Sequence, residues 1–487
     1  MKVLLTASPR TLHGFNRLMK IPNIGLCSIA ANIDRSLCDL KILDLTIAKG
    51  DPYKFYRKIL SEYEPDVVGI SGMIIHSHEV SALAKITKEF NKNITVIAGG
   101  YYPTVAYDYI AKSDDINYID YMIRGEAEIP FNNFIKSLSN GNKYTDIQAL
   151  SYRKNGSFVH NPKGEVAQCE EIKPPDRDSR ILKKGFHIFG FPADSVESSR
   201  GCTFHCNFCC IRQMYGRGYR KYSIERVLDD IRDAKKRGAK AIMFTDDNIT
   251  LDGKRCFELF NAIINAKLND MKYFLEASIS GFKKHPGLAE TMAKAGVKWV
   301  FLGIENASDE MLQSMNKDVQ LKSSDAFETM ADLKKNGIFI VGGFVVGLPD
   351  ETEESLWANY HYALKLGVDV PTFSMVIPHP GTEIREELKH GGYIINEDDF
   401  SRYHGWEVNV KTKHMSSEKL YDIVHKMELR YVSESGVIKS LWKTYPWFFI
   451  KMSSGWVLKN PVDLFHFVSG FFKKLLKKKL RSQKLRS

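Results

Sequence analysis

Short apolar runs punctuate the first 145 residues, at 3–6, 40–43, 66–71, 95–100 and 121–125. Between them lie stretches with helical spacing, such as 24–37, and 79–90 with Val80, Leu83, Ala84 and Ile86 on one face. Runs that are apolar without alternation suit strands covered on both faces, and their interleaving with helices predicts a doubly wound parallel sheet. Such sheets bind ligands beyond the carboxyl ends of their strands. Ser71, Gly72, Gly99 and Gly100 fall at that edge, where small residues let a flat ligand approach the backbone.

Residues 146–190 read as a connection, with a hairpin signal at Asn155-Gly156 and a linker signal at Pro174-Pro175-Asp176. The alternation resumes over 191–400 with longer helices, 224–237 among them. Strand candidates are 193–198, 241–245, 274–278, 299–304, 338–346 and 372–377. Six such units build a partial barrel of the triosephosphate-isomerase kind, where a closed one needs about eight. From 401 to 487 the barrel pattern is gone. Ser416-Ser417-Glu418-Lys419 can cap a helix running through Arg430. The fold class is therefore α/β: a Rossmann-like open parallel sheet over 1–145, a partial (β/α)6 barrel over 191–400, and a C-terminal helical region.

A chain of 487 residues exceeds one compact core, so two or three domains are expected. With 44% hydrophobic and 26% charged residues, global disorder is excluded. Most of the net charge of +11 sits in Lys473, Lys474, Lys477, Lys478, Lys479, Arg481, Lys484 and Arg486, after the last acid, Asp463. The basicity is thus a tail property. Met1–Ala7 reads as a first strand, not a signal peptide, and no apolar run reaches the roughly 18 residues of a spanning helix. A cytoplasmic location is expected, where clustered cysteines indicate metal binding or catalysis, not disulfides.

The decisive cluster is Ser199-Arg200-Gly201-Cys202-Thr203-Phe204-His205-Cys206-Asn207-Phe208-Cys209, directly after a predicted strand. Thiolates are the natural ligands of iron–sulfur clusters, which normally take about four. Three leave one iron free for a small molecule offering an amine and a carboxylate. The alternative is a zinc site or buried free thiols. Zinc would need His205 or Cys210 as fourth ligand, and both crowd the other donors. Cys210, like Cys27, Cys38, Cys169 and Cys256, reads as a packed cysteine.

This CxxxCxxC resembles the signature of the radical S-adenosylmethionine superfamily, whose aromatic residue before the third cysteine, here Phe208, lies near the adenine. The resemblance implies that Cys202, Cys206 and Cys209 hold a [4Fe-4S] cluster whose free iron chelates S-adenosylmethionine. One electron then cleaves the sulfonium to a 5′-deoxyadenosyl radical. It further implies that Asp246 and Asp247 receive the cofactor's amino group, although the usual glycine-glycine-glutamate form is absent. Phe301-Leu302-Gly303-Ile304-Glu305-Asn306 is similar to the family strand that approaches the ribose through Glu305, and the strand carrying Gly343 and Gly347 to the one beside adenine. Pro378-His379-Pro380-Gly381-Thr382 is similar to the end of the sixth strand.

An open α/β domain ahead of such a barrel resembles the cobalamin-binding class of the superfamily. Pro22-Asn23-Ile24-Gly25-Leu26, the strand 66–71, Ile97-Ala98-Gly99-Gly100 and Arg124-Gly125-Glu126-Ala127-Glu128 carry that likeness. It implies cobalamin against Ser71, Gly72, Gly99 and Gly100. The segment Ser8-Pro9-Arg10-Thr11-Leu12-His13-Gly14 departs from the mutase-type histidine loop, and His76 and His78 lie outside it, so a corrin would bind without an axial histidine.

Trp442, Tyr445, Trp447, Phe448, Phe449 and Trp456 precede a segment, 462–480, with apolar residues at near-helical spacing beside the lysines. This describes peripheral attachment to a membrane surface. Nucleic-acid binding would call for a basic face on a folded module and is set aside. The expected activity is modification of an unactivated carbon, by C-methylation or by ring or carbon–carbon bond formation. The expected substrate is a hydrophobic molecule such as an isoprenoid lipid or tetrapyrrole, and a ferredoxin or flavodoxin would serve as one-electron donor. The competing class is a non-catalytic iron–sulfur sensor or assembly factor at the membrane.

Overall fold

A computed structural model describes residues 1–9, 18–141, 144–317 and 321–434. His13 and the tail segments named above lie outside the described residues. In chain order the strands are β1 (Lys2–Ala7), β2 (Met19–Lys20), β3 (Asp39–Asp44), β4 (Val67–Ser71), β5 (Thr95–Gly99), β6 (Tyr121–Ile123), β7 (Leu150–Lys154), β8 (Ser157–His160) and β9 (His187–Ile188). There follow β10 (Phe191–Val196), β11 (Ser199–Arg200), β12 (Arg220–Lys221), β13 (Ala241–Phe244), β14 (Lys272–Ser278), β15 (Val297–Glu305), β16 (Phe339–Val346) and β17 (Val370–Met375).

The first sheet has the order β3-β1-β4-β5-β6-β7-β8. Its first five strands are parallel, and β7 and β8 add an antiparallel edge. The strand order reverses at β1, which places the ligand crevice at the carboxyl ends of β1 and β4. Residues alternate between two buried layers. Leu4, Val68, Ile70 and Val96 face one set of helices, and Val3, Leu5, Val67 and Ile97 the other. Helix Ile24–Asn32 is capped by Asn23, whose side chain accepts from Leu26 N. It stops five residues short of the predicted 37. Asp34 captures the N–H of Ser36 at 3.0 Å, an Asx turn that competes with the helical bond.

The second sheet, β17-β16-β15-β14-β13-β10-β9-β2, holds six parallel strands in sequence order, with β9 and β2 antiparallel beyond β10. This is the partial barrel. Its outer core packs the helices on the sheet, and Ala193, Ala241, Phe274, Trp299 and Phe339 fill its lower interior.

The structure differs from the sequence expectation at the boundaries. The 146–190 stretch is not a free connection. Its hairpin, turning through Asn155 and Gly156 at φ of 53° and 81°, extends the first sheet, while β9 belongs to the second. Ile181 N donates to Ile42 O of β3 at 2.8 Å, while the neighbouring Arg180 grips Asp194 of β10. β2, from within the first 145 residues, pairs with β9 in the barrel sheet. Phe400 and Tyr403 are buried in the core of the N-terminal sheet. Helix Ser417–Glu434 packs on the barrel, Tyr431 donating its hydroxyl to Val368 O at 2.6 Å.

Candidate active site

The loop after β10 is held from below by the end of β13. Asp246 is buried and accepts from Ser198 N at 3.0 Å, Ser198 Oγ at 2.6 Å and Ser199 Oγ at 2.5 Å. Its carboxylate is thereby engaged in anchoring the loop. Asp247 accepts from Gly201 N at 3.0 Å through one oxygen and is only half-buried. Of the two acids expected to meet the cofactor's amine, Asp247 is the one with an oxygen to spare. Burial, with the charges of Glu276 and Glu197 adding, pushes its carboxyl up to about 7. Gly201 is glycine by necessity: at φ of 81°, a Cβ there would lie 2.5 Å from Gly218 O.

Cys202, Cys206 and Cys209 follow as free, half-buried thiols. Among the described residues no three His, Cys, Asp or Glu side chains converge on a point that one metal ion could fill. Three thiolates on one loop are the donor set of an iron–sulfur cluster. Burial pushes the Cys202 thiol up and Cys206 to about 11, and Lys317 pulls both back. The loop is pinned at its middle. Asn207 donates from N to Met315 O at 3.0 Å and from Nδ2 to Ser314 O at 2.9 Å, and Ile384 N donates to Asn207 O at 3.2 Å. Phe208 packs, half-buried, against the apolar cluster that includes Met315, Leu348, Val376 and Ile384.

The other residues suggested by resemblance lie on β15 and on and just after β16. Glu305 ends β15 and is ion-paired with Lys317, Nζ to Oε1 at 2.6 Å. Gly343 leaves room for the Phe301 ring, which a Cβ would approach to 2.8 Å. Gly347 N and Leu348 N donate to Glu351, a fully buried acid that also receives Asn306 and Asn359 Nδ2, each at 3.3 Å. Sequence reasoning missed Lys317 and Glu351, which carry no spacing signal. It also missed Glu276. On β14 the flanking Leu275 and Ala277 are buried in the outer core, so Glu276 faces the lumen, where it is accessible yet walled in. Those surroundings push its carboxyl up to about 7.

At the first sheet, Ser71, Gly72, Gly99 and Gly100 form one contiguous edge. Ser71 pairs with Gly99, and Gly72 N donates to Gly99 O at 3.1 Å. A Cβ on Gly100 would lie 2.7 Å from Gly72 O, whereas one on Gly99 would meet nothing within 4 Å. That open floor fits a flat ring lying over the backbone. The next residue, Tyr101, carries a phenol held well above its ordinary range by burial, with the charges of Tyr215, Asp247, Cys210 and Cys209 adding to the effect. Helix Tyr101–Ile110 packs on helix Ile211–Tyr215, which follows the cysteines. His76 Nδ1 accepts from Met73 N at 3.1 Å, and His78 Nε2 lies 3.4 Å from Asp399.

A family model of the radical SAM superfamily matches residues 196–386, and one of the B12 binding domain matches 12–135. An uncharacterized methyltransferase of Pyrococcus horikoshii is 30% identical over 449 residues, 91% of this chain and 95% of that protein. The chain belongs to the radical SAM superfamily. Within it, the B12-binding domain and the relatives place the chain among the cobalamin-dependent methyltransferases and cyclases, and its cofactors are a [4Fe-4S] cluster, S-adenosylmethionine and cobalamin. The hopanoid C-3 methylase of Methylococcus capsulatus is 26% identical over 368 residues, 75% of this chain and 68% of that one. The same fold occurs in the cobalamin-dependent S-adenosylmethionine radical enzyme OxsB, solved with aqua-cobalamin and S-adenosylmethionine bound. Its TM-score is 0.72 at 17% identity, over 99% of this chain and 75% of that one. Among the described residues no helix is long and apolar enough to cross a membrane.

Proposed function

We propose that this radical SAM enzyme modifies an unactivated carbon of a hydrophobic substrate, by C-methylation or by ring or carbon–carbon bond formation, in the space between the two sheets. The observation that carries this reading is the opposition of the two cofactor edges. Helix Tyr101–Ile110, which follows Gly99-Gly100, packs on helix Ile211–Tyr215, which follows the cysteines, so a corrin on one edge and a cluster on the other would share one interior. When bound, these groups supply hydrogen abstraction and a methyl donor. The chain's own residues hold and orient them. Asp247 and Glu276 bring carboxyl groups to the lumen, and that suits a cofactor carrying an amine and a sulfonium. Anaerobic purification with iron, sulfide and corrin analysis, followed by a test for reductive cleavage, is the direct experiment. A sensor would make no 5′-deoxyadenosine, and that result would defeat the enzyme reading of this site.

The form of corrin binding is also testable. His76 Nδ1 accepts from Met73 N, which leaves the ring proton of the neutral imidazole on Nε2, and His78 stands beside Asp399. The paramagnetic spectrum of bound cob(II)alamin is therefore expected to lack splitting from a histidine nitrogen. A clear histidine signature, or protein left corrin-free after reconstitution with excess cobalamin, would overturn this expectation.

A membrane-resident substrate is supported by the tail, where eight basic residues follow an aromatic and aliphatic stretch. Each basic residue near an anionic surface contributes about 1 kcal/mol, screened over a Debye length of about 8 Å at physiological salt. The full chain is expected to pellet with anionic vesicles, less with neutral ones, and to be partly released by high salt. Truncation after Asn460 weakens this while leaving uncoupled cofactor cleavage intact, because the candidate ligands lie between Cys202 and Gly347. Equal vesicle binding by both forms would remove the main support for a lipid-like substrate.

A further inference from the structure

Lys317 is a buried lysine, 9% exposed, and its surroundings are built around its ammonium. Gly303 on β15 leaves the space that the ammonium occupies: a Cβ there would lie 2.9 Å from Lys317 Nζ and 2.5 Å from Glu305 Oε1. Glu305, the counter-ion at 2.6 Å, is held at φ of 67°, a left-handed conformation that a non-glycine residue adopts only under strain. The β15–β16 register shifts between Gly303 and Glu305. The ammonium also stands 5.8 Å from the ring of Phe204, midway between Cys202 and Cys206. The two bonds of Asn207 to Ser314 and Met315 clamp the cysteine loop onto the segment that delivers Lys317. A missing side chain, a strained backbone and a clamped loop all serve to hold one cation beside the cysteine loop.

We infer that Lys317 is the electrostatic tuning residue of the cluster: its fixed charge favours the reduced state, and Glu305 anchors and partly offsets it. The inference rests on Cys202, Cys206 and Cys209 holding the cluster. Three thiolates on an oxidised [4Fe-4S] core leave a net negative assembly, and reduction adds one more negative charge. In this step the oxidised cluster gains one electron from a low-potential one-electron donor, and no bond forms or breaks. A buried cation close to the loop lowers the cost of that added charge, because little water is present to screen it.

The test is a potentiometric titration of the reconstituted cluster, followed by electron paramagnetic resonance and run without S-adenosylmethionine, so that cofactor binding plays no part. Lys317→Gln is expected to lower the reduced-to-oxidised ratio at a given potential about tenfold, equivalent to about 59 mV for a one-electron couple. Glu305→Gln is expected to raise that ratio, and Lys317→Arg to leave it near the parent value. Shifts of the same sign in Lys317→Gln and Glu305→Gln, or no shift in either, would overturn the inference. If Lys317→Gln fails to assemble a cluster, Glu305→Gln decides alone, and an unchanged or lowered ratio overturns it. Failure of the parent protein to hold a cluster would instead sink the cysteine assignment.

Discussion

Replacing any one of Cys202, Cys206 or Cys209 by Ala is expected to abolish the visible iron–sulfur absorbance and the reductive cleavage of S-adenosylmethionine together. The three thiols are free and half-buried in one loop, and each is positioned by bonds its neighbours make: Asp247 at Gly201, the Asn207 clamp, and Cys209 N to Cys206 O at 3.2 Å. Each thiolate would serve its own iron, so no remaining donor can take over a lost position. The adjacent Cys210 is the internal control. Its side chain packs against the core of the first sheet. Cys210→Ala is therefore expected to keep both signals. Iron and sulfide analysis with ultraviolet–visible spectra would check this, and a triple-Ala variant that retained a full cluster would disprove the assignment.

The second large effect is expected at Arg200, two residues before Cys202. Its guanidinium is buried, with Nη1 2.9 Å from Glu126, Nη2 2.7 Å from Glu128 and Nε 2.8 Å from Glu197. Arg220 also reaches Glu126, at 2.8 Å. Glu126 and Glu128 belong to the B12-binding domain and Glu197 to the barrel, so one guanidinium ties the cluster loop to both. Arg200→Ala leaves Glu128 and Glu197 without their cation, and breaking a buried pair on one side costs about 3–5 kcal/mol. Thermal unfolding of the cofactor-free protein should shift down by several degrees, and limited proteolysis should open the junction. Arg200→Lys keeps the charge but loses the three-way fork, and should fall between the two. An Arg200→Ala protein as stable as the parent would refute a structural role for the network.

Much of the fold was legible because it depends on local pattern. The runs at 3–6, 66–71 and 95–100 became β1, β4 and β5, and all six barrel strands lie within about two residues of their apolar runs. The cysteines were legible because their spacing is itself the chemistry. The rest depended on distance in space. Arg200 and Glu128 are 72 positions apart, and Arg385 reaches Tyr109 across 276. Asp246 and Asp247 are adjacent and identical in type. Only the positions of Ser198 and Ser199 determine that the first is consumed by the loop and the second faces the interior. Lys317 lies twelve residues beyond its counter-ion on an irregular segment, where neither periodicity nor spacing points to it.

The pairing of β2 with β9 has a consequence for inheritance. Met19 and Lys20 sit in the barrel sheet, while β7 and β8, from the far side of the B12-binding domain, sit in the first sheet. The two halves are laced together and are not strung in series. A recombination event that delivered only the barrel, from β10 onward, would bring it without its last two strands and leave the backbone edge of β10 bare, a ready template for pairing with other chains. The corrin and cluster halves of this chain would therefore be expected to travel through evolution as one unit, with their substrate range altered by side chains in the shared interior and not by exchange of whole domains.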